Sequence, residues 1–311
     1  MSERKEYTIK SHDGKTNLRV VVWKPDGEIK AIAQLSHGMV EHINRYDEFA
    51  RYLNDKGYLV VGSDHLGHGW SVESEEKLGY FCEKNADWVV VDDLNSIREM
   101  IQKDYPNLPY FILGHSMGSL IVRNYITKYS EGLAGAVIIG TGIIPNGKLK
   151  AGLAFVRFLT KLHGPMYRSN VANNMVIGAN DKKFLNTPEY PSWMSKNNDS
   201  VNEFNADPRC GYIFTLNGFE TLLNLALNNN NPEYLARIPK TLPLFIVSGA
   251  DCCLGEFGKG VKKVYEIYKN LGIEDITWKL YENDRHEILN EPDRDIVYKD
   301  ILSWMNIRIP G

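Results

Sequence analysis

Three residues of this 311-residue chain have the types and settings needed for nucleophilic acyl chemistry: Ser116, His286 and Asp251. Ser116 stands in Gly114-His115-Ser116-Met117-Gly118, after the apolar run Tyr110 to Leu113 and before an amphipathic segment, Ser119 to Tyr129. Strand, then G-x-S-x-G, then helix is the setting of a nucleophile elbow, in which the two glycines permit a sharp turn that presents the hydroxyl. A serine attacks only with a base to take its proton, a group to orient that base, and donors for the oxyanion. His286 follows the last strand-like run, Ile276 to Tyr281. Carboxyl ends of parallel strands share one sheet edge, so His286 is expected beside the elbow. The chain order serine, acid, histidine also suits it as the base.

The acid is expected after the strand Leu244 to Ser248. There the chain reads Ser248-Gly249-Ala250-Asp251-Cys252-Cys253-Leu254-Gly255. Asp251 is the nearest carboxylate and Glu256 the next. The other place for an acid, after Val137 to Gly140, reads Thr141-Gly142-Ile143-Ile144 and holds none. One oxyanion donor is expected to be the backbone N–H of Met117, the residue after the nucleophile. The other is expected from the loop His37-Gly38-Met39-Val40, with the Met39 N–H chosen. His37 is a rival base, ranked lower because it precedes the oxyanion turn.

These residues need a scaffold, and the pattern supplies one. Tyr7–Lys10 and Asn17–Lys24 read as a hairpin; Ile29–Ser36, Tyr58–Gly62, Tyr110–Leu113, Gly135–Gly140, Pro243–Ser248 and Ile276–Tyr281 read as strands. Between them Tyr46–Lys56, Trp88–Lys103, Val261–Leu271 and Asp293–Met305 have helical periodicity. Alternation of continuous apolar strands with helices predicts an α/β fold, a mostly parallel sheet of about eight strands with helices on both faces. Residues 142–238 interrupt this rhythm with helical stretches at Lys148–Leu162 and Gly218–Leu227. They read as an inserted helical cap, between core parts 1–141 and 239–311. The polar run Asn228 to Asn231 reads as a solvated helix end.

Composition narrows the classes. The formal net charge of −3 gives no global reason to bind nucleic acid. The charged start, Met1 to Glu6, is followed by no apolar stretch of a secretory signal, and no run approaches membrane-spanning length. The four cysteines, Cys82, Cys210, Cys252 and Cys253, have neither zinc spacing nor a dense disulfide framework, so a reducing, cytoplasmic setting with no metal site is expected.

Several words together resemble the monoacylglycerol lipase and lysophospholipase group of α/β-hydrolases, which is classified with serine aminopeptidases. They are His37-Gly38-Met39-Val40-Glu41-His42 with Arg45-Tyr46, Asp64-His65-Leu66-Gly67-His68-Gly69-Trp70-Ser71, the elbow, Ala206-Asp207-Pro208-Arg209-Cys210-Gly211, and Arg285-His286-Glu287-Ile288-Leu289-Asn290-Glu291. The resemblance implies an eight-stranded core, a helical cap, no cofactor, and hydrolysis of esters with one fatty acyl chain through an acyl-enzyme. The sequence departs from the group at the acid loop. Relatives usually read Gly-x-x-Asp-Pro-Val there; aligned on Gly249, the aspartate falls on Cys252, and Asp251 is one position early. Two alternatives stand beside the ester hydrolase: a peptidase of the serine aminopeptidase type, and a catalytically weak binding protein with a degraded acid position. In the cap, Lys150, Arg157 and Lys161 fall within roughly 40° at the helical period. The remaining arc of the helix is broadly apolar, which suits either a helix over an acyl pocket with transient contact to a lipid surface or a cap helix packed wholly on the core.

Overall fold

A computed structural model describes residues 3–176, 184 and 191–309. Eight strands form one sheet: β1 (Glu3–Lys10), β2 (Asn17–Lys24), β3 (Ala31–Ser36), β4 (Tyr58–Ser63), β5 (Tyr110–His115), β6 (Leu133–Ile139), β7 (Leu244–Gly249) and β8 (Ile276–Tyr281). Their spatial order is β1-β2-β4-β3-β5-β6-β7-β8. The pairs β1–β2 and β2–β4 are antiparallel, and the others are parallel. The parallel strands are buried on both faces, which is why they read as continuous apolar runs rather than alternating ones.

The period of two sorts the central strands between two cores. Ile112, Ala136, Ile138, Leu244 and Ile246 face one layer, with Leu94, Ile121 and Val264. These belong to helices α2 (Ala86–Asp104), α3 (Met117–Tyr125) and α9 (Lys259–Asn270). Phe111, Leu113, Val137, Ile139, Phe245 and Val247 face the other layer, with Phe49, Leu53, Val297 and Ile301. Those helices are α1 (Asp47–Asn54) and α10 (Arg294–Asn306). This is the expected α/β architecture with both sheet faces covered.

Between β6 and β7 lie α4 (Asn146–His163), α5 (Asn170–Val176), α6 (Asn198–Ala206), α7 (Leu216–Asn228) and α8 (Pro232–Leu235). Among the described residues this stretch contributes one isolated bridge, Arg168 to Thr215, and no strand of the sheet. Leu149, Leu153 and Val156 of α4 pack with Phe219, Leu223 and Leu225 of α7. The Asn228–Asn231 run is not the solvated helix end expected from sequence. Asn229 is buried and donates to Leu120 O at 3.1 Å, Asn228 donates to Asp87 at 2.7 Å, and Asn230 donates to Ile144 O at 2.9 Å. These amides stitch α7 to α3 and α2, because a helix end packed on the core must still satisfy its polar groups.

Candidate active site

Ser116 joins β5 to α3 with φ 54° and ψ −118°. A non-glycine residue held there costs on the order of 1–3 kcal/mol, so its surroundings must impose it. They do so through the two elbow glycines. A Cβ on Gly114 would overlap the Gly118 carbonyl, and one on Gly118 would overlap the Ser36 carbonyl. The strand, the turn and β3 therefore close on one another only with glycine at both places. The Ser116 N–H donates to Ile139 O at 3.0 Å, and Ser116 O accepts from Ser119 N at 2.9 Å. Met117 opens the helix, so its N–H has no acceptor within the helix and lies at the positive end of the dipole.

Ser116, His286, Met39 and Met117 line one cavity of about 720 Å³. Ile143, Leu149, Gly152, Leu222 and Leu223 form its apolar wall. His286 is buried, with its ring 4.7 Å from His115 and 5.2 Å from Trp193. Burial, and then the neighbouring His115, push its proton affinity well below the usual imidazole range. A neutral imidazole is the form a general base requires. Its Nε2 is buried and bonds to no other described residue.

The other nitrogen is where sequence and structure part. Cys252 Sγ lies 3.2 Å from His286 Nδ1. Cys252, one position after the expected Asp251, is the residue that meets this nitrogen. The cause lies in the packing of two loops. A Cβ on Gly249 would overlap the carbonyls of Asp284 and Arg285, so glycine lets the β7 loop lie against the loop that carries His286. The Asp251 N–H donates to Asp284 O at 2.9 Å, and Cys252 N donates to Gly249 O at 3.2 Å. That turn directs residue 252 inward, where it is fully buried. Burial pushes the Cys252 thiol above its ordinary range, so the partner of His286 is neutral. A carboxylate only accepts, and so fixes the proton on Nδ1. A thiol donates or accepts weakly, and fixes neither tautomer.

The other candidates are engaged elsewhere. Glu256 is exposed and pairs with Lys263 at 3.0 Å. His37 is buried behind the oxyanion loop, with Nδ1 2.8 Å from Gly38 O and Nε2 accepting from His65 N at 2.9 Å. Both its nitrogens are used, which removes it as a base. Among the described residues one trio, His42, Asp207 and Cys210, brings potential metal-ligating atoms within 4.8 Å of one another. His42 Nε2 already bonds Asp207 Oδ2 at 2.7 Å, and burial raises the Cys210 thiol far above the thiolate range.

A buried polar network beside the base was not identified from sequence. Glu41 Oε1 accepts from Gly38 N at 2.5 Å and from Tyr46 OH at 2.8 Å. Arg45 bonds Glu41 Oε2 at 2.7 Å and holds Glu287 through two bonds of 2.7 and 2.8 Å. Tyr46 OH lies 3.1 Å from His115 Nδ1. His115 Nε2 lies 3.2 Å from the His286 carbonyl, an acceptor only, so Nε2 carries a proton. The Glu41–Arg45 pair at i, i+4 was the available signal.

A family model described as serine aminopeptidase, S33, matches residues 27–293, and the chain belongs to that family. The monoglyceride lipase of Mus musculus is 30% identical over 290 residues, covering 92% of this chain and 86% of that protein. The monoacylglycerol lipase of Mycolicibacterium smegmatis is 27% identical over 307 residues, 98% of each chain. A thermostable carboxyl esterase from Bacillus coagulans, solved in complex with glycerol, matches with a TM-score of 0.91 at 26% identity over the full length of both chains. A soluble variant of the monoglyceride lipase from Saccharomyces cerevisiae matches with a TM-score of 0.77 at 19% identity, which shows the shared fold. The chain is an α/β-hydrolase, and an enzyme of the serine-hydrolase, esterase and lipase type.

Proposed function

From membership of that family and the site just described, we propose that this enzyme hydrolyses carboxylic esters with one acyl chain, a monoacylglycerol or a lysophospholipid, through an acyl-enzyme. The observation that carries this reading is Ser116, strained at the elbow, sharing one largely apolar cavity with His286. His286 Nε2 takes the Ser116 proton as the hydroxyl oxygen attacks the ester carbonyl. The N–H groups of Met39 and Met117 receive the oxyanion, an effect worth about 3 kcal/mol per donor. His286 then protonates the leaving alcohol, and water cleaves the acyl-enzyme by the same route. Cys252 stands where the orienting acid would act, so turnover is expected to be limited by tautomer and by the uncompensated imidazolium.

The peptidase reading needs a carboxylate free to hold a substrate ammonium. Glu41 and Glu287 line the cavity, but Arg45 engages both. A second reading is favoured by one observation. The neutral thiol at His286 suits a protein that binds acyl ligands and turns them over slowly. Fluorophosphonate labelling with a Ser116→Ala control separates the two. Labelling, with hydrolysis in a panel of monoacylglycerols, lysophospholipids, short nitrophenyl esters and aminoacyl amides, supports the hydrolase; acyl binding without labelling supports the second.

Residues 142–238 act in this reading as the cap. Phe158 and Leu162 of α4 are 57% and 60% exposed, next to the exposed Lys161. They suit transient contact with a lipid surface from which the substrate is taken. No helix among the described residues is long and apolar enough to cross a membrane.

A further inference from the structure

His286 has an unusual charge environment. Behind its Nδ1 lies a neutral thiol; the Lys196 ammonium meets Asp284 on the same loop at 2.5 Å. From β5 it faces the His115 ring, and from the cap the Trp193 ring. Arg285 on its own loop donates to the carbonyls of Ser192 and Ser195, and Glu291 accepts from Ser195, Lys196 and the Arg285 backbone. On the oxyanion side lie Glu41, Arg45 and Glu287, two carboxylates and one guanidinium, all nearly sealed from solvent. With both carboxylates ionised this cluster carries one net negative charge. Glu41 Oε1 is 3.7 Å from His115 Nδ1, and Glu41 lines the cavity with Ser116 and His286.

We infer that Glu41 is a positioning residue that supplies, from the oxyanion side and across His115, the negative charge that a triad acid would place behind His286. The assignment rests on the serine-hydrolase reading for its use in turnover. When His286 takes the Ser116 proton, a cation forms in a site of low dielectric, and this cluster places carboxylates in the same cavity. Burial opposes charge on Glu41, but His115 and Arg45 hold it ionised, and its other buried neighbours are Tyr46, His37 and Cys210. Its field favours the protonated form of His286, against burial and His115. The same carboxylate pins Gly38, and with it the loop that presents the Met39 N–H. Charge support for the base and placement of the oxyanion donor thus meet in one side chain.

The test is a charge removal in two backgrounds. Glu41→Gln keeps an acceptor oxygen for Gly38 and Tyr46 and removes the charge; Cys252→Asp restores an anion behind His286. The His286 imidazole is titrated by NMR in 13C-histidine-labelled protein, its signal assigned by loss in His286→Gln. Glu41→Gln is expected to shift the His286 titration, and the acid limb of kcat/KM for a short nitrophenyl ester, to lower pH by about one unit, with kcat down roughly tenfold and KM little changed. In the Cys252→Asp background the same change is expected to cost less than about threefold, with a smaller shift. An unmoved His286 titration, or equal losses in both backgrounds, overturns the inference, since a purely structural Glu41 gives that result. If Glu41→Gln does not fold, Glu287→Gln removes charge from the same cluster and is read by the same criteria. The titration needs no turnover. A shifted His286 in a protein whose Ser116 takes no fluorophosphonate keeps the charge assignment and sinks the hydrolase reading; labelled Ser116 with an unshifted His286 does the reverse.

Discussion

The elbow around Ser116 and the loop around Cys252 meet at one histidine, and each closes on its neighbours through glycine. At the elbow, Gly114, Gly118 and the strained Ser116 backbone leave no room for another arrangement. At the β7 loop, Gly249 is equally confined by Asp284 and Arg285, yet the side chain that the turn directs at His286 is a thiol. Backbone placement and side-chain chemistry are therefore separable. A loop can deliver a residue to the orienting place of a triad without a carboxylate there. In the proposed mechanism the elbow half of the site is fixed in both respects, and the β7-loop half in one.

The largest effect is expected where both are fixed. Ser116→Ala removes the nucleophile while leaving the turn, so ester hydrolysis should fall by roughly 10⁴-fold or more with the unfolding midpoint little changed. Wild-type turnover in this variant would place the chemistry on another residue.

The next effect tests the half that is fixed in backbone alone. Removing a triad acid costs up to roughly 10⁴-fold in turnover, so Cys252→Asp, which adds one, is expected to raise kcat by about ten- to a thousandfold. Cys252→Ala should lower it by less than about tenfold, because a neutral thiol fixes neither tautomer nor charge. Asp251→Asn should matter little. Steady-state kinetics on a soluble ester measure all three. A neutral Cys252→Asp would mean that the slot shapes the loop and no longer couples to His286.

This contrast also marks what the sequence could disclose. The turn at Ser116 was legible because its determinants are local: an apolar strand, two glycines at fixed offsets, and a helix. His286 was legible because parallel strands end on one side of a sheet. The orienting residue was not, because which side chain of Asp251 and Cys252 turns inward depends on the Asp284 and Arg285 carbonyls, about thirty residues further along the chain. Family spacing pointed to Cys252, while the residue type pointed to Asp251, and the packing of two loops decides between them. The Glu41–Arg45–Glu287 network was hidden for the same reason, since Glu287 meets Arg45 across 242 positions. The Asn228–Asn231 amides were misread because sequence shows polarity and not the carbonyls that meet it.

The two halves are expected to respond to acid with opposite signs. Beneath the oxyanion loop, burial and then the neighbouring His68 lower His65 to about 3, and burial lowers His68 to about 4 against the Leu66 carbonyl and Glu41. The unfolded chain protonates these side chains near 6.5, so their contribution is full above that pH and is lost progressively as pH falls toward 3–4. At pH 5 the loss is about 2 kcal/mol for each. Beneath the His286 loop, burial raises Glu291 to about 7 although Arg285, Ser195 and Lys196 donate to it. Its folded form holds a proton that the unfolded chain releases above about 4.5, so its contribution grows as pH falls from 7 to 4.5. Glu291→Gln should therefore lose stability more steeply between pH 7 and 5 than the parent, as read from denaturant midpoints. Equal slopes would show that the three donors already hold Glu291 ionised.

The smallest effect is expected furthest from the chemistry, on α4. Its two faces differ as the halves of the site do. Leu149, Gly152, Leu153 and Val156 are buried, whereas Phe158 and Leu162 face outward with Lys150 and Lys161. Phe155 is intermediate, so it belongs to the packed side more than its place in the apolar arc implied. Phe158→Ser with Leu162→Ser removes exposed apolar area without opening the core, so stability should change by less than about 0.5 kcal/mol. Hydrolysis of a long-chain monoacylglycerol presented in vesicles should fall about three- to tenfold, with a soluble short ester unaffected. Lys150→Glu with Lys161→Glu should weaken binding to anionic vesicles most at low salt, where exposed charges are least screened. Equal losses on both substrates, with no vesicle binding by the parent protein, would leave α4 a packing element alone and confine the functional asymmetry to the two sides of His286.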